Sequence, residues 1–245
     1  MKYKMDYDAF LRTISLNPQK QISFFLGAGA SIESGVLSAS DCIWEWKKQI
    51  YDTNNAGSPF RFVNYKSDNC KKEVQRWIDS QGIFPSLGDE DEYSFFAEKT
   101  YPDELDRCTY FNTKFTNIKK VSAGYRLLAY FVTQGFTNKV WTTNFDDLIL
   151  KAVVEQNLTQ IDVSLDCSAR VNNTINANNL MVIKLHGDYK YSKMKNTANE
   201  LDTQESIFVN ALSKMLLDMD LVVLGYSGRD KSIMTALASF SSWYW

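Results

Sequence analysis

Four short stretches hold the side chains best able to do chemistry, and each follows a run of strand-forming residues. In "LGAGAS" Gly27 and Gly29 alternate with Ala28 and Ala30 before Ser31. Small residues there let backbone approach a ligand closely. A helix starting at Ser31 would aim free N–H groups at a phosphate, favourable by about 0.3–1 kcal/mol in an exposed setting. "WTTNFDD" supplies Thr142, Thr143, Asn144, Asp146 and Asp147. An asparagine both accepts and donates, so it can hold a water or hydroxyl in line for reaction. "KLHGD" carries His186, the chain's only histidine, and an imidazole with an ordinary pKa of about 6.5 is the natural general base at neutral pH. "LGYSGRD" sets Ser227 between Gly225 and Gly228 and ends on Asp230.

Taken singly, each stretch has a plainer explanation. Asn144 and Asp146 fit as caps of the helix they precede, Ser227 as a turn residue, Asp230 as an N-cap, and a lone histidine is more often packed than catalytic. Their ordered recurrence at strand ends is what points to one cleft, because parallel sheets bind ligands at the carboxyl ends of their strands. The glycine turn is only a partial G-x-G-x-x-G, since Ile32 stands at the sixth position, and no G-K-[ST] follows it. A second strand ending in the acidic residue that holds ribose in dehydrogenases is also missing.

The elements that must position these residues read as alternating helix and strand. "DYDAFLRTISL" has apolar residues at helical steps and Pro18 closes it; "ISFFLG" is short, apolar and rich in β-formers, as expected of a central parallel strand. Ser40 and Asp41 are placed to cap the helix "CIWEWKKQIY". From 54 to 117, glycine, proline, aromatics and dense mixed charge predict an inserted helical subdomain. The rhythm then resumes with helix "SAGYRLLAYFVTQG" ending at Gly135, strand "KVWTTN", helix "FDDLILKAVVEQN", strand "QIDVSLD", the apolar strand "NLMVIKLHG", helix "ESIFVNALSKMLLDM" and strand "LVVLG". Such alternation predicts an α/β fold with a parallel sheet covered by helices on both faces.

Composition narrows the function classes. The chain has 245 residues, 44% hydrophobic and 23% charged, with 27 Lys+Arg against 29 Asp+Glu and a net charge of -2. That is an ordinary globular composition, and no global basic field draws it to nucleic acid or anionic lipid. Cys42, Cys70, Cys108 and Cys167 are scattered with no C-x-x-C pair, which excludes zinc-knuckle spacing, so no metal is expected, and fits buried thiols in a reducing cytoplasm. No apolar run reaches the ~18 residues that cross a bilayer, and "FFLGAGA" lacks the flanks of a signal peptide.

"GAGAS" with "SGV", then "TTNFD", "KLHG" and "LGYSG", resembles the SIR2 fold of the sirtuins, in that order from Gly27 to Ser227. The likeness is greatest to the SIR2-like domains with which bacterial anti-phage effectors destroy NAD+. The resemblance implies a Rossmann-type sheet that binds NAD+, with Asn144 and His186 as the essential pair. It implies Gly27, Ala28 and Ser31 at the pyrophosphate, Asp146 at the ribose hydroxyls, Gly225 and Ser227 at the adenosine side, and Gly29 and Thr143 as further residues of the cofactor site. The paired C-x-x-C zinc module and the PDFR segment of sirtuin deacylases are absent, with "VLSASDC" following the glycine turn. Water is then the simpler acceptor, and the implied activity is NAD+ hydrolysis to nicotinamide and ADP-ribose in abortive infection. A deacylase would give no product without an acylated peptide, and a sensing module would bind NAD+ or ADP-ribose without turnover. The aromatic ending "ASFSSWYW" predicts packing against a further domain or another subunit, hence a homo-oligomer with a C-terminal sensor or a phage-derived trigger as partner.

Overall fold

The computed structural model describes residues 6–16, 21–118, 120–176, 178–191, 193–195, 206–228 and 230–238. The chain ending read as an interaction surface and Pro18 lie outside these residues.

Five strands form one parallel sheet: β1 (Ile22–Leu26), β2 (Lys139–Thr142), β3 (Thr159–Val163), β4 (Asn179–Lys184) and, after the short antiparallel pair β5 (Gly187–Asp188) and β6 (Lys193–Met194), β7 (Asp220–Leu224). Their order is β3-β4-β2-β1-β7. This is the Rossmann-like α/β architecture expected. The chain runs from β1 to strands on one side and returns with β7 on the other, so the crevice opens above the end of β1. Register makes that edge level. Leu26 pairs with Thr142 and Leu224, and Thr142 pairs with Lys184. The glycine turn, the Thr143-Asn144 turn, the His186 turn and the Gly225 turn therefore all leave the sheet from one row.

Successive side chains of a strand face opposite ways, and the two faces bury different partners. Phe24, Leu26, Val140, Leu180 and Val182 pack with α2 (Ala39–Asn54), α3 (Asp68–Gln81), α4 (Glu92–Thr100), α5 (Glu104–Phe115), α6 (Ala123–Thr133) and α7 (Leu148–Glu155). Phe25, Trp141, Met181 and Ile183 pack with α8 (Ser206–Asp218) and α9 (Lys231–Ala238) through Phe208, Leu212, Ile233 and Leu237. Helix α1 spans Tyr7–Leu16. Apolar residues on both faces are why "ISFFL" and "LMVI" show no alternation in sequence.

Three local expectations need correction. The cap of α2 is Ser38, whose side chain accepts from Asp41 N–H at 3.1 Å while Asp41 accepts from Ser38 N–H at 3.2 Å, a capping box that starts the helix earlier than Ser40 would. The segment after Gly27 is a 3-10 helix over Ala28–Ser34, which takes in Gly29 and is ended by left-handed Gly35 (φ 92°), rather than an α-helix beginning at Ser31. And β4 is not wholly apolar, because its last residue, Lys184, is buried in an ion pair described below. The region 54–117 is helical, and α4 is tied to α2 where Lys47, fully buried, donates to Glu92 and to Gln75. Among the described residues no helix is long and apolar enough to cross a membrane.

Candidate active site

A cavity of about 510 Å³ opens at the carboxyl edge of the sheet, within the range of small-molecule sites. From the four stretches, Ala28, Gly29, Thr143, Asn144, Asp146, His186, Gly225 and Ser227 line it; Gly27 and Ser31 lie behind its wall. Val36, Leu37 and Phe145 give it an apolar side, and Glu90, Asp91 and Ser94, from the helical region after α3, also line it.

The glycines answer to a constraint other than the one read from sequence. Gly27 N–H donates to Leu224 O and Gly29 N–H to Gly225 O, both at 2.9 Å. A Cβ on Gly27 would meet Tyr226 Cα at 2.4 Å, and one on Gly225 (φ +65°) would meet Ala30 N at 2.3 Å. The residues are small because the turns after β1 and β7 interlock backbone to backbone. The N–H groups of Gly27 and Gly29 are thus already engaged with the protein.

Behind this wall, counting hydrogens fixes the orientation of Asn144. The Gly27 carbonyl can only accept, so the Asn144 Nδ2 faces it at 3.0 Å and gives its other hydrogen to Ser31 Oγ at 3.0 Å. Ser31 Oγ lies 2.7 Å from Tyr125 OH and donates to Asp146 Oδ2 at 2.7 Å. Burial raises the Tyr125 phenol, which keeps its proton and serves as donor to Ser31. Asp146 Oδ1 accepts from Leu148 N–H at 3.1 Å. Burial pushes the Asp146 carboxyl above its usual range, with the Ser31 hydroxyl, the Leu148 N–H and Lys184 pulling it down. Ser31 and Asp146 accordingly organise the wall, with their polar atoms committed to it. What remains is Asn144 Oδ1, a buried acceptor with no partner among the described residues. Such an orphan costs about 1–3 kcal/mol, and here it sits on a residue that lines the cavity.

His186 follows β4, and its Nε2 lies 2.5 Å from Asp230 Oδ2. Its ring is 6.3 Å from that of Phe145. A charge lattice, buried at Lys184 and Asp188, holds the two turns together. Lys184 Nζ is 2.6 Å from Asp188 Oδ2 and 3.6 Å from Asp147 Oδ1, while Lys190 and the Tyr189 hydroxyl donate to Asp147 Oδ2 at 2.8 and 2.9 Å. Burial alone would raise the Asp147 carboxyl, but Lys190, Lys184 and Tyr189 outweigh it and hold it below the usual range. Cys42 also lines the cavity, yet burial pushes its thiol up to about 12, so it stays protonated and unreactive.

Two participants escaped the sequence reading. Tyr125 sits in an amphipathic helix and gives no local signal. Asp230 looked like a cap, which it is, through Ile233 N–H at 3.1 Å; its second partner, His186, lies far away in sequence.

Residues 138–242 match the family model of the SIR2-like domain, a family whose domains bind and use NAD+. The match contains Asn144, His186 and Ser227, and the glycine turn joins them through the interlock with Gly225. No curated protein matches the chain.

Proposed function

We propose that this chain, SIR2-like over residues 138–242, is an NAD+ glycohydrolase that releases nicotinamide and ADP-ribose. The observation that carries the reading is the orphaned, buried Oδ1 of Asn144, a residue that lines the same cavity as His186. Cleavage of the nicotinamide–ribose bond expels a neutral leaving group from a cationic ring, through a transition state with oxocarbenium character. Nicotinamide departs with the bonding electron pair and needs no acid. Water then bonds to the ribose carbon, and its proton passes to His186 and on to solvent. Asn144 Oδ1 accepts a hydrogen from that water or from a ribose hydroxyl and holds it in line. Phe145, Val36 and Leu37 keep the reacting end dry. Ala28, Thr143, Gly225 and Ser227 border the space left for the phosphates and adenosine.

In the cell this activity would deplete NAD+ as an abortive, anti-phage response, with a trigger acting through a further domain or partner and through assembly of several copies. The test is nicotinamide release by the purified chain at high concentration, beside Asn144→Ala and His186→Ala. Each variant should lose about 10²–10⁴-fold in turnover while still folding. Full NAD+ cleavage by either variant would refute the assignment.

A further inference from the structure

Asp230 has two carboxylate oxygens, and each is engaged by a different element. Oδ1 accepts from Ile233 N–H at 3.1 Å, and the Asp230 carbonyl accepts from Met234 N–H at 2.9 Å, so the residue caps the start of α9. Oδ2 faces His186 Nε2 at 2.5 Å. The side chains of His186 and Asp230 are 13% and 7% exposed, which leaves little water to compete for this bond. A carboxylate only accepts, and a neutral imidazole carries one N–H. In the neutral ring this bond requires the hydrogen on Nε2, which leaves the lone pair on Nδ1.

We propose that Asp230 is the positioning residue of this site: it fixes His186 as the Nε2–H tautomer, makes Nδ1 the proton-accepting atom, and stabilises the imidazolium formed once that proton is taken. The inference rests on the NAD+ hydrolase reading for its catalytic consequence, though not for the tautomer. The logic is that of a base oriented by a third group. The helix end adds rigidity. Because Oδ1 is anchored at the first turn of α9, Oδ2 cannot follow His186 if the ring moves, so the last helix of the described chain sets the angle of the base.

The two-partner arrangement yields a sharp substitution. In Asp230→Asn the amide offers a single acceptor, and Ile233 N–H requires it. The amide NH₂ is then turned to Nε2, which must become the lone-pair nitrogen, and the proton moves to Nδ1. The helix keeps its cap, while the base is lost. Asp230→Ser keeps a capping oxygen but does not reach His186, which frees the ring to populate both tautomers.

His186 is the only histidine, so the untagged full chain grown with ¹⁵N-labelled histidine has one imidazole to observe by NMR. The wild type should show the Nε2–H tautomer, Asp230→Asn the Nδ1–H tautomer, and Asp230→Ser a mixture. NAD+ hydrolysis by Asp230→Asn should fall about 10²–10⁴-fold in kcat, with KM within about threefold and the unfolding midpoint close to wild type. An Nδ1–H tautomer in the wild type, or a folded Asp230→Asn with its tautomer unchanged, overturns the assignment. So does a reversed tautomer that leaves kcat intact. A wild type without hydrolysis refutes the enzyme reading alone, since the NMR result decides the tautomer without turnover.

Discussion

Alanine at Gly225 should cost far more than alanine at Gly35, although both glycines adopt left-handed backbone, with φ +65° and +92°. Left-handed strain applies to both, at about 1–2 kcal/mol. At Gly35 a Cβ meets nothing within 4 Å, whereas at Gly225 it meets Ala30 N at 2.3 Å and Gly29 C at 2.7 Å, all backbone. The turns after β1 and β7 must then separate. Overpacking of about 1–3 kcal/mol joins the loss of the Gly29 N–H to Gly225 O bond, about 1 kcal/mol, to give about 3–6 kcal/mol in all. For a chain of this size each kcal/mol moves Tm by about 2–4 °C. Thermal unfolding followed by circular dichroism should show Gly225→Ala lowered by on the order of 10–20 °C and Gly35→Ala by about 2–8 °C. Separation also draws Ser227 and Asp230 off the cavity, so nicotinamide release should collapse in Gly225→Ala at temperatures where it is still folded. Equal Tm losses in the two variants would show that backbone strain alone matters and that the interlock does not.

Ser31→Ala removes a hydroxyl shared by Asn144, Tyr125 and Asp146; it should cost about 2–4 kcal/mol in urea unfolding and lower kcat more than it raises KM. Lys184→Met leaves Asp188, 1% exposed, as an uncompensated buried charge and should cost about 3–5 kcal/mol, read as a lower urea midpoint. Asp147 is held below the usual carboxylate range, so its contribution to stability is present above the unfolded pKa of about 3.9 and lost as pH falls through the folded value. The stability gap between wild type and Asp147→Asn should therefore be full at pH 6 and close below pH 4; a gap constant with pH would contradict the ion pairing.

The sequence revealed the sheet because each β-strand had to be apolar on both faces and each helix on one, a pattern that local composition records. It also revealed the site's edge, since polar residues directly after apolar strands have nowhere to go but the carboxyl end. Gly27 and Gly29 are legible as close-approach positions, but the local sequence does not name the approaching group, because Gly225 lies far away in the chain. Ser31 and Asp146 were legible as polar and placed; only the hydrogen count around Asn144 assigns them to each other. The pairing of His186 with Asp230 has no sequence signature at all, since a capping aspartate is read the same way whether or not its second oxygen is in use.

The interlock of the first and last strand turns also bears on the order of synthesis. β1 leaves the ribosome before the other strands of the sheet, with both its edges awaiting strands encoded far downstream, and the Gly225 turn that braces the glycines follows only after β7. A chain interrupted before β7 has Asn144 and His186 but neither the brace nor Asp230. Under the NAD+ hydrolase reading proposed above, that arrangement withholds the activity from every nascent chain that stops short of β7.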